Sequence, residues 1–107
     1  MEYEAIVAIV ERGRANGVAK KACESGASGA TIAFGRGFGE HILSVFSNLQ
    51  VEPSKEFVLI ISEKSDTERL LGIVVEAARI HEAGKGIAFT LPIGNLVGMD
   101  REKKYDV

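Results

Sequence analysis

Two stretches of this sequence are apolar without a break: Ala5-Ile6-Val7-Ala8-Ile9-Val10 and Phe57-Val58-Leu59-Ile60-Ile61. They read as strands, over Glu4–Val10 and Glu56–Ser62. An antiparallel strand with one face in water alternates apolar and polar residues. Neither stretch alternates, so each needs cover on both faces. Any fold for this chain has to supply that cover.

Helical spacing separates the strands. From Gly13 to about Ser25, residues Ala15, Val18, Ala19, Ala22 and Cys23 recur at steps of three and four and share one face. Gly26 is a suitable stop, because glycine tolerates positive φ. Cys23, on the apolar stripe, is expected to pack in the core. A second helix starts near Ser65 or Asp66, and Leu70, Ile73, Val74, Ala77, Ala78 and His81 keep its spacing. Gly84-Lys85-Gly86 ends it. Two further strands are expected, Gly29–Phe34 and Ile87–Leu91, the latter closed by Pro92; Leu96-Val97 offers one more short strand. Gly35-Arg36-Gly37-Phe38-Gly39 reads as a sharp, exposed turn. His41 to Pro53 reads as a loop, with a short strand around Ile42 to Phe46. Phe34, Phe57 and Phe89 read as core; Phe38 and Phe46 are candidates to contact a ligand or a partner.

Strand, helix, strand, strand, helix, strand is the ferredoxin-like order, an α+β fold of one domain over residues 1–107. Its two helices cover one face of an antiparallel sheet. The other face, left apolar by the two unbroken strands, would be a patch that soluble monomers avoid. A second subunit is the simplest cover, and the pattern does not set the number of copies.

Composition narrows the function. Lys and Arg total 13 against 15 Asp and Glu, a net charge of -2, with no basic run to mark a nucleic-acid or membrane footprint. Cys23 is the only cysteine, so neither an internal disulfide nor a zinc framework is available. The start carries no basic region ahead of its apolar stretch, and no stretch has transmembrane length, which points to the cytoplasm. Neither His41 nor His81 has an evident serine partner. Glu40, Glu52, Glu56 and Asp66 show no pairing, so the chain reads as a non-enzyme. His41 beside Glu40 is the one metal-like pair, and it makes a poor site unless copies meet.

Three stretches taken together resemble the PII nitrogen-regulatory and PII-like signalling proteins: Glu24-Ser25-Gly26-Ala27-Ser28-Gly29-Ala30-Thr31, Gly35-Arg36-Gly37-Phe38-Gly39, and Glu82-Ala83-Gly84-Lys85-Gly86-Ile87-Ala88-Phe89-Thr90-Leu91-Pro92. The resemblance runs from Tyr3 to Met99. It implies a homotrimer whose sheets line a central core. It also implies clefts between subunits that bind adenine nucleotides (ATP, ADP or AMP as effector), and a T-loop that engages a partner enzyme, channel or transporter. The second stretch corresponds to the base of the T-loop and the third to the B-loop. The ligand-binding residues it implies are Thr31, Arg36, Gly37, Phe38, Gly39, Gly84, Lys85 and Gly86. Glycine-rich turns expose backbone N–H groups to anions, and Arg36 and Lys85 add charge. Here the family's basic residue after the second B-loop glycine falls on Ile87. The T-loop is short and lacks the tyrosine that some members modify. That fits a divergent branch with a different or weaker ligand. Two alternatives share the architecture: a metal-binding trimer like the CutA proteins, and a regulatory or assembly subunit without a ligand.

Overall fold

The computed structural model describes residues 2–36 and 54–99. In order they form β1 (Tyr3–Glu11), α1 (Ala15–Glu24), β2 (Gly29–Arg36), β3 (Ser54–Glu63), a single 3-10 turn (Lys64–Asp66), α2 (Thr67–Ala78) and β4 (Gly86–Ile93). The strands make one antiparallel sheet in the order β2-β3-β1-β4. This is the ferredoxin-like arrangement.

Register explains the core. Ile6 lies opposite Ile60 and Ala8 opposite Val58; Ala30 and Ile32 extend these rows on β2. Ile6, Ala8, Val10, Val58 and Ile60 are fully buried against Ala15, Val18 and Ala22 of α1 and Leu70, Val74 and Ala78 of α2. Each large side chain among them contributes about 1.5–3 kcal/mol of burial.

The opposite face holds three transverse rows: Gly29, Ile61, Ala5 and Leu91; Thr31, Leu59, Val7 and Phe89; Ala33, Phe57, Ile9 and Ile87. Thr31 is the only polar residue among the twelve. Leu59, Ile87, Phe89 and Leu91 are 42 to 49% exposed. The expectation of an uncovered apolar face is therefore met among the described residues.

Several expectations need correction. Cys23 is exposed, not core; the buried stripe of α1 is Ala15, Val18 and Ala22. Phe34 is 78% exposed, and Phe89 lies on the open face. Phe34 shares the helix-facing side of β2, but at the strand's end, opposite Glu56. Gly35 and Arg36 belong to β2 rather than to a turn. β3 begins early enough to give Gly35 a partner in Lys55 and Arg36 one in Ser54. A side chain at Gly35 would come 3.1 Å from the Phe57 ring, so the glycine makes room for that ring.

Helix α2 ends at Ala78, not at Gly84, and His81 lies beyond it, exposed. Arg79 takes the left-handed conformation (φ 60°) usually left to glycine. Its guanidinium holds Glu82 through Nε at 2.7 Å and Nη2 at 3.2 Å, which ties the turn together. Pro92 lies within β4, and Leu96-Val97 form no strand. Gly26, at φ 108°, does close α1. The loop and short strand expected within His41–Pro53, with Phe38 and Phe46, lie outside the described residues. Among the described residues, no helix is long and apolar enough to cross a membrane.

Candidate ligand site

The end of the sheet where β2 stops and β4 starts is built by register. Gly35 faces Lys55, Lys55 faces Glu11, and Val10 faces Gly86. Arg36 and Gly86 therefore stand at the same end, on strands at opposite edges. Three strand spacings separate them, about 14 Å.

Gly84, Lys85 and Gly86 form one corner. Gly84 has φ 82° and Gly86 φ 149°, both in the region favouring glycine. A Cβ on Gly86 would lie 2.3 Å from the Ile9 carbonyl oxygen, so the strand's first residue has no room for a side chain. The corner is closed by main-chain bonds from Glu82 N to Arg79 O and from Lys85 N to Glu82 O. Lys85 Nζ donates to Glu11 Oε2 at 3.4 Å. The Glu82 carboxyl titrates below its ordinary range, chiefly because the Arg79 guanidinium hydrogen-bonds its charged form.

The other corner is less complete. Arg36 is the last residue of β2, and Thr31 is exposed at the edge of the open face. Gly37, Phe38 and Gly39 lie outside the described residues. Between the corners, Lys55 is only 2% exposed, and its Nζ reaches the Ser54 carbonyl at 3.3 Å. Burial pushes its amine below the ordinary lysine value, with Glu11 pulling the other way.

Two residues escaped sequence reasoning. Glu56 had no visible partner, yet its Oε1 accepts bonds from Gly13 N and Ala15 N, both at 2.9 Å. This caps α1, which has no side-chain cap of its own. Glu11, the last residue of β1, sits between Lys85 and Arg14, whose Nε lies 3.8 Å from its Oε1. Neither the Glu56 contacts nor the Glu11–Lys85 pair has a local signal.

A cavity of about 470 Å3 lies at the other end of the sheet, lined by Tyr3, Glu4, Lys64, Ile93, Leu96 and Met99 among others. It includes none of the expected ligand residues. Among the described residues, no group of three His, Cys, Asp or Glu side chains is placed to hold a metal.

The sequence profile of the family described as nitrogen regulatory protein P-II matches residues 3–103. The chain belongs to the P-II family. Proteins of this family are regulators rather than enzymes; they form trimers and bind effectors and partner proteins. Among solved structures, this P-II chain is similar to PII of Arabidopsis thaliana bound to citrate, at 27% identity and a TM-score of 0.67, over 86% of this chain and 78% of that one. No curated protein sequence matches it.

Proposed function

We propose that this P-II protein is a non-enzymatic, cytoplasmic regulator that binds a small anionic effector, an adenine nucleotide, between the subunits of a homotrimer. It passes occupancy to a partner protein through the T-loop. One observation carries the reading: Arg36 and Gly86 share an end of the sheet but lie on opposite edge strands. Within one chain the Gly84–Gly86 corner stands three strand spacings, about 14 Å, from β2. Neighbouring copies would bring two corners together, with Thr31, Arg36, Gly37, Phe38 and Gly39 from one and Gly84, Lys85 and Gly86 from the next. The apolar open face supplies the driving force for assembly, since its burial removes a contiguous patch from water.

Anion chemistry suits both corners. Arg36 and Lys85 bring charge, and the positive φ of Gly84 and Gly86 lets main chain approach closely. The similar Arabidopsis protein holds citrate, a small polyanion. An effector touching two chains favours one arrangement of the loop beside it, and that differential affinity is the signal.

Light scattering and calorimetry test this together. The expected result is a mass of three chains and one effector per interface with ATP, ADP, AMP or citrate. A monomeric mass, or no heat with any of the four, overturns it, and heat with citrate alone overturns the nucleotide.

A further inference from the structure

Glu11 is placed among cations at the end of the sheet that carries both corners. Its two oxygens meet Lys85 and Arg14, and it lies opposite Lys55 across the β1–β3 ladder. Arg79, on the same side, is held by Glu82. The Glu11–Lys85 pair spans 74 residues, and both side chains are 31% exposed, so water and solutes reach it.

Lys85 is the one charged residue of the Gly84–Gly86 corner. An anion docking there needs the same ammonium that Glu11 already holds. We infer that Glu11 is a built-in competitor for the effector: its carboxylate must give up Lys85 before a phosphate or carboxylate group can take it. The inference rests on the proposed effector site. It has two consequences. Affinity is held down, so occupancy follows effector concentration over a higher range. Effectors with several negative groups are also favoured, because they can engage Lys85 and Arg14 together and outbid a single carboxylate.

The test titrates wild type, Glu11→Gln, Lys85→Met and the double variant with ATP, ADP, AMP and citrate by calorimetry. An exposed ion pair sets the scale, so Glu11→Gln should tighten binding about fivefold. The gain should shrink as salt screens the charges, and it should largely vanish in the Lys85→Met background. Unchanged or weaker binding by Glu11→Gln overturns the inference and leaves the effector site standing. An equal gain in both backgrounds also overturns it, since Glu11 would then act without Lys85. Silence from every protein with all four probes overturns the effector site and the inference together. If Glu11→Gln does not assemble, Glu11→Asp keeps the charge with a shorter reach to Lys85 and should bind more tightly than wild type by a smaller factor; no gain there has the same meaning.

Discussion

The Oε1 atom of Glu56 on β3 stands 2.9 Å from the main-chain nitrogen of Ala15, the first residue of α1. The same oxygen accepts from Gly13 N, so one carboxylate satisfies two donors at the start of the helix. Helix N-termini leave such groups unpaired, and an anion there also suits the helix dipole. Glu56→Ala should therefore cost about 2 kcal/mol, the range for losing a cap and leaving the buried Ala15 N–H unmet. Urea unfolding at fixed protein concentration reads this. A change indistinguishable from zero would mean water replaces the carboxylate without penalty.

Gly86→Ala places a methyl group against the Ile9 carbonyl in a backbone conformation that L residues rarely adopt. We expect a loss of about 3 kcal/mol. Gly94→Ala is the control, since a Cβ there meets nothing within 4 Å, and it should be near neutral. Equal effects from the two would remove the steric explanation.

Phe89 lies in the middle row of the open face, in the strand next to Val7. Phe89→Glu should dissociate the assembly. It forfeits about 1.5–3 kcal/mol of burial per copy and adds a charge that the interface would have to desolvate. The scattering mass should fall toward one chain. An undiminished mass would show that this face is not where copies meet.

Lys55 supplies a pH signature. Burial disfavours its charged form, so its amine loses its proton at a lower pH in the folded chain than in the unfolded one. The resulting penalty is fully present below the folded value. It fades as pH rises toward the ordinary lysine value of 10.5, because there the unfolded chain binds more protons. Wild type should therefore gain stability relative to Lys55→Met as pH is raised toward 10.5. A difference that is flat or falls with pH contradicts this.

The fold was largely legible because its signals are local. Unbroken apolar runs marked β1 and β3, three-and-four spacing marked both helices, and Gly26 marked the end of α1. The errors arose where a distant partner overrides a local rule. Gly35 looked like a turn until Lys55 paired with it. Arg79 ends α2 in place of a glycine, with its guanidinium bound to Glu82. Cys23 kept helical spacing at the margin of its stripe, and the edge of a stripe is where burial depends on what lies opposite. Phe34 reads as core by type, yet it sits near the end of β2, opposite Glu56 rather than an apolar residue.

By itself the sequence determined the kinds and order of the four strands and two helices among the described residues, and the presence of an apolar face that those helices leave open. Period and continuity are properties of neighbouring residues, so they survive without a partner. Only the tertiary structure decided that both candidate corners share one end of the sheet on opposite edges, that Glu56 closes α1 from 41 residues away, and that Glu11 meets Lys85 across 74. Strand register and helix packing create those meetings, and no short window of sequence contains both partners.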